Sequence, residues 1–168
     1  MTRYLIVEAD GGSRGNPGPA GYGALVRDGK TGELLREIAE SIGVASNNVA
    51  EYRGLIAGLT AAHEIDSSAK IIVRMDSKLV IEQMSGRWQI KHPDMRELAF
   101  KAREIHDRSL IDYEWIPRSE NSHADSLANM ALDRVAVAGS SPKKQINFLT
   151  ERLTGTEKAT TIYFVRHG

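Results

Sequence analysis

Four carboxylates, Asp10, Glu51, Asp76 and Asp125, stand where chemistry is easily arranged. Asp10 closes the apolar run YLIVEAD, and Asp76 follows KIIVRM. Glu51 and Asp125 fall early in two stretches with helical apolar spacing, SNNVAEYRGLIAGL and NSHADSLANMAL. A buried strand fixes an acid at its end while the loop beyond leaves room for a ligand. If the strands ending at Asp10 and Asp76 are neighbours, both acids emerge at one edge of the sheet. Helices packed on that sheet can then bring in Glu51 and Asp125. Crowded carboxylates stay ionised together only when cations neutralise them. Mg²⁺ is the natural occupant, a hard ion that takes oxygen ligands and keeps several waters. Two such ions about 4 Å apart can activate a water and stabilise the leaving oxygen of a phosphodiester.

Each acid also has a plainer reading. Asp10 can be a turn residue. Glu51 can simply favour the positive end of its helix. Asp76 can be the N-cap of the next helix, and Asp125 a first-turn acid of the last one.

The elements that must position these groups follow from periodicity and punctuation. Strands are predicted over residues 3–8, 20–27 and 34–42, the last two joined by turn residues around Asp28-Gly29-Lys30. Gly11 to Pro19 reads as a glycine and proline turn. Gly18-Pro19-Ala20-Gly21-Tyr22-Gly23 reads as backbone turn chemistry, not as a dinucleotide fingerprint, because no helix follows it. Ser46-Asn47-Asn48 offers N-caps for a helix reaching residue 64. A buried strand over 70–75, a short helix over 77–84, a helix opened by His92-Pro93, a strand over 111–116 and a helix over 121–135 complete the pattern β-β-β-α-β-α-α-β-α. Three strands without an intervening helix, then alternation, predict an α/β fold. Its sheet would be mixed and five-stranded, three antiparallel strands then parallel ones, with helices on both faces.

Hydrophobic residues make up 41% and charged residues 26%, an ordinary globular composition. No apolar run reaches the roughly 20 residues needed to cross a membrane. The N-terminus reads as a strand, not a signal peptide. With no cysteine there is neither a disulfide framework nor a thiolate metal site, and the cytoplasm is the expected location. Residues 1–138 carry 17 basic against 20 acidic side chains, a net of −3. That domain has no global field to attract a polyanion, so nucleic-acid binding would need a local basic surface or metal held by the acids.

The pieces DGGSRGNPGPAGYG, SNNVAEYRGLIAGL, RMDSKLV and ENSHADSLAN, in that order, resemble type 1 ribonuclease H over residues 1–138. The resemblance implies two-metal endonucleolytic hydrolysis of the RNA strand of RNA–DNA hybrids. Asp10, Glu51, Asp76 and Asp125 would be the catalytic metal ligands, with Mg²⁺ the usual ion and Mn²⁺ a substitute. Asn16, Asn47 and Asn48 match positions that touch the hybrid, and amides suit minor-groove 2′-hydroxyls; turn and cap roles are the alternative. Ser46 matches a hydroxyl near a DNA phosphate. Trp88, between Arg87 and Lys91, can face the DNA strand or serve as a core or hinge tryptophan. The segment 86–107 lacks the lysine-rich grip of many relatives, which admits weaker hybrid affinity or tolerance of double-stranded RNA. The loop 117–122 lacks the family's mobile histidine. His123 is too close to Asp125 to replace it plainly; Glu120 is a candidate substitute, with a solvated loop acid as its plainer reading. A monomer is expected, and a non-catalytic hybrid-binding module is the competing reading.

Residues 139–158 read as a linker. The end, TTIYFVRHG, resembles the first strand and Arg-His-Gly motif of histidine phosphatases, the phosphoglycerate mutase-like family. In a complete member Arg166 would bind the phosphoryl group and His167 would accept it. Residues 159–168 are therefore expected to be the truncated start of a second, phosphatase-like domain of a bifunctional protein.

Overall fold

The computed structural model describes residues 3–140. Its sheet has the order β3-β2-β1-β4-β5, so the first strand, β1 (Tyr4–Ser13), lies at the centre. β2 (Gly18–Asp28) and β3 (Leu34–Ala45) complete an antiparallel meander on one side. β4 (Lys70–Met75) and β5 (Ile111–Trp115) run parallel to β1 on the other. This is the expected mixed five-stranded sheet, and its register fixes the two strand acids. Glu8 of β1 pairs with Arg74 of β4. Two residues further along each chain stand Asp10, still within β1, and Asp76, just past the end of β4.

Helices cover both faces. α1 (Asn47–Ile65), α2 (Lys78–Met84) and α3 (Pro93–Arg103) share one face and its core, built on Leu5, Val7, Ile71, Val73, Tyr52, Leu55 and Leu59. α4 (Ser122–Ser140) covers the other, where Ala124 and Leu127 pack on Leu25. Capping follows the sequence signals. Ser46 accepts from the Val49 amide at the start of α1, and Ser77 accepts from the Val80 amide at the start of α2. His92 caps α3 ahead of Pro93.

Two expectations are corrected. The turn expected over Gly11 to Pro19 is shorter, because β1 runs to Ser13 and β2 begins at Gly18. Asp10 is therefore inside β1, opposite Gly23 of β2. The Gly18–Gly23 run is strand, not turn, and its glycines make room for helices. A Cβ on Gly23 would lie 2.4 Å from the Leu127 Cβ and 2.6 Å from the Ala124 carbonyl of α4. On the opposite face a Cβ on Gly11 would lie 2.4 Å from the Ala50 backbone of α1. Glycine weakens a strand, and close backbone approach is the usual reason to find it there.

The last helix also exceeds its expected end. It continues to Ser140, past its expected end at 135 and two residues into the linker expected from 139. The rest of the expected linker, the final strand, Arg166 and His167 lie outside the described residues.

Candidate active site

The close approaches at Gly11 and Gly23 bring the helix acids to Asp10. α1 lies on β1 just beyond Asp10, with Ala50 and Glu51 backbone against Gly11. α4 lies on β2 at the strand partner of Asp10, and Asp125 sits in its first turn. The electrostatics record the convergence. Burial pushes Asp10 up from 3.8 to about 8, and Asp76, Asp125 and Glu51 all contribute in the same direction. Asp125 does so partly as a hydrogen-bond partner. Burial, opposed by a hydrogen bond from Ser77 and reinforced by Asp76, pushes Glu51 up to about 7.

Three of the plainer readings fail on this geometry. Asp10 is in a strand ladder, not a turn. Asp76 caps nothing, since the cap of α2 is Ser77. Glu51 lies past the first turn of α1, which holds no acid, so the helix dipole does not account for it. Only Asp125 occupies the position its plain reading requires.

Among the described residues, no three acid or histidine side chains close on one point as a finished metal cage. The acids form a looser cluster around Asp10. Its chemistry nevertheless fits a hard divalent cation, with oxygen donors only and carboxylates whose mutual repulsion goes uncompensated. A further sign is Asn121, which is fully buried and which the sequence reading did not single out. Its Nδ2 donates to Asp76 Oδ1 and to the Ala9 carbonyl, both at 2.9 Å. Its Oδ1 is buried without a partner. Buried amide oxygens are rarely left so.

The fold recurs in known proteins. The family model described as reverse transcriptase-like matches residues 8–131. The N-terminal RNase H domain of Rv2228c from Mycobacterium tuberculosis, solved as a fusion with maltose binding protein, is 51% identical. The match covers 83% of this chain and 100% of that one, with a TM-score of 0.77. The chain belongs to the ribonuclease H family. The LC11 RNase H1, solved in complex with an RNA/DNA hybrid, is 37% identical, covering 79% of this chain and 99% of that one, with a TM-score of 0.72. The curated "Bifunctional protein Rv2228c" of Mycobacterium tuberculosis is 46% identical over 172 residues, 98% of this chain and 47% of that protein. The chain thus spans about half the length of the curated relatives it matches.

In this ribonuclease H domain the residues expected at the nucleic acid fall into two places. The Asn16 side chain accepts from the Asn47 amide. Asn47 Oδ1 accepts from the Ser13 amide at 2.8 Å and its hydroxyl at 3.1 Å. The β1–β2 turn is thus laced to the start of α1, where Ser46 is the cap and Asn48 is half-buried. The turn and cap roles are realised, beside the acids. Trp88 lies apart, beyond α2, and is 45% exposed, which rules out a core role.

In the loop before Asp125, His123 and Glu120 take the plainer of the roles expected for them. His123 is engaged away from the acids, Nδ1 with Arg27 and Nε2 with Glu37. Glu120 is exposed, and the cation it influences is Arg74. The side chain that meets Asp125 from this loop is Arg118, at 3.4 Å and largely exposed. Trp115 donates its indole N–H to the Asp76 carbonyl, and Lys78 lies over its ring. Neither Arg118 nor Trp115 carried a signal in sequence beyond nearness to an acid motif.

Proposed function

We propose that this domain is an endoribonuclease that hydrolyses the RNA strand of RNA–DNA hybrids with two divalent ions held by Asp10, Glu51, Asp76 and Asp125. The observation that carries the reading is the clustering of four acids from four elements around Asp10. Membership of the ribonuclease H family and the hybrid bound by the LC11 RNase H1 support it. Bound ions would supply an activated water and charge compensation at the leaving oxygen. The chain's own residues do the positioning. Asn121 holds one oxygen of Asp76, leaving its other oxygen for a ligand. Arg118 places a cation beside Asp125, suited to an approaching phosphate. Asn16, Ser46, Asn47 and Asn48 line the adjoining turn and helix start, where amides can read 2′-hydroxyls, and Trp88 offers a face to the DNA strand.

The test is cleavage of labelled RNA–DNA hybrid, double-stranded RNA and double-stranded DNA in parallel. The RNA of the hybrid should be cut with Mg²⁺ or Mn²⁺, DNA should stay intact, and Asp76→Asn should lose at least about a hundredfold in rate. Equal inertness of wild type and variant would leave a binding module instead.

The Arg166-His167 resemblance and the one relative named "bifunctional" support a second part of the proposal, that a phosphatase-like domain begins at the C-terminus. Phosphomonoester hydrolysis by the longer protein should survive Asp10→Asn and vanish in His167→Ala. A cytoplasmic location, with which the lack of cysteine agrees, and a monomeric state are likewise proposed.

A further inference from the structure

A cavity of about 480 Å³ opens between the ends of α2 and α3 and the start of β5, on the side of the sheet away from the meander. Arg87, Arg103 and Arg108 line it together, in a domain whose net charge is negative. Guanidinium groups repel one another, so three on one wall require either partners or an anion. Arg87 has a partner, Glu82. Arg103 spends one N–H on the Gln83 carbonyl at 3.0 Å, and among the described residues neither it nor Arg108 makes an ion pair. Asp112 is the acid on the wall and offsets part of this charge. The floor is apolar, from Met84 and Ile111. Burial pushes the Tyr113 hydroxyl up to about 12, against the pull of Arg103 and Arg108, so it keeps its proton at neutral pH and can donate a hydrogen bond.

We propose that this cavity is a binding site for a phosphate group, separate from the acid cluster. The volume lies in the range of small-molecule sites, roughly 300–1,000 Å³. Two unpaired guanidiniums and a phenol match the oxygens of a phosphate, which arginine forks grip bidentately. The apolar floor and the tyrosine ring suit an organic body attached to it. Val73, the strand partner of Tyr113, lies three residues before Asp76, and Ile71, the partner of Ile111, lies five before it. The site is therefore about 10–17 Å along the sheet from the acids, and its occupancy does not depend on metal bound there. The phosphate can be that of a mononucleotide or of a nucleic-acid backbone.

The experiment is an amide and arginine-side-chain NMR titration of the whole chain in magnesium-free buffer. The probes are inorganic phosphate, a 5′-mononucleotide and a short single-stranded DNA oligomer. Saturable shifts should appear at residues 85–87 and 108–113. Arg108→Ala, a change on the surface, should weaken binding about tenfold, Arg108→Lys should recover part of the loss, and Asp112→Asn should tighten binding about twofold or more. Binding of mononucleotide as tight as the oligomer identifies the small molecule as the source. An oligomer about tenfold tighter, with the advantage lost in salt, identifies the backbone. Absence of saturable shifts at these residues, or unchanged affinity in both Arg108→Ala and Asp112→Asn, overturns the proposal.

Discussion

Asp10 holds a proton in the folded, metal-free protein that the unfolded chain has already released, across the window from about 4 to about 8. The folded state is favoured at the low end of that window, and the advantage is lost as pH rises through 8. The metal-free protein should therefore lose thermal stability from about pH 4 to pH 8 more steeply than Asp10→Asn, which removes the titration. Parallel melting curves against pH would give the same slope for both proteins if Asp10 were an ordinary surface acid. Asn121 makes its own demand at this scale. Removing its amide strands the Ala9 carbonyl and frees Asp76. Asn121→Ala should cost about 1–3 kcal/mol in denaturant unfolding and lower the cleavage rate about tenfold through loss of Asp76 orientation. A full-rate variant would contradict that positioning role. Asn121 was not legible beforehand because its partners are 112 and 45 residues away; in sequence it is only a polar residue before a helix.

At the scale of the elements, the strands and helices were legible in order and type, since each carries its own period and cap. Ser46 and Pro93 act where their residue types predict, while the cap of α2 falls one residue late, on Ser77 instead of Asp76. The Gly18–Gly23 run was misread because glycine has two uses. Local sequence favours the turn, while the structure uses Gly23 to let α4 lie against β2. The consequence is testable: Gly23→Ala places a Cβ within 2.6 Å of the Ala124 carbonyl and the Ala128 amide. It should destabilise the domain by about 1–3 kcal/mol and, by lifting the start of α4, weaken Asp125's contact with Asp10. Gly12, whose backbone is not left-handed and whose added Cβ would meet nothing nearer than Asn47 Oδ1 at 3.8 Å, is the control for crowding. Equal stability losses at both positions would refute the docking account.

For the whole molecule, the site lies where four remote segments meet, and no single one of them specifies it. β1 and β4 align two acids by register, and two helices on opposite faces deliver the others. That convergence was predictable from strand order, whereas Arg118 beside Asp125 was not, because a loop side chain's reach has no period. The net charge of −3 over residues 1–138 is also intelligible only at this scale. Acids concentrated at a site for divalent cations do not oppose a polyanion once those ions are bound. The most direct check is Mn²⁺ binding, followed by electron paramagnetic resonance, to the wild type and to the amide variants Asp10→Asn, Glu51→Gln, Asp76→Asn and Asp125→Asn. One shared site predicts that every variant loses about tenfold or more in affinity. Variants that bind Mn²⁺ as tightly as the wild type would show that the four carboxylates do not share an ion.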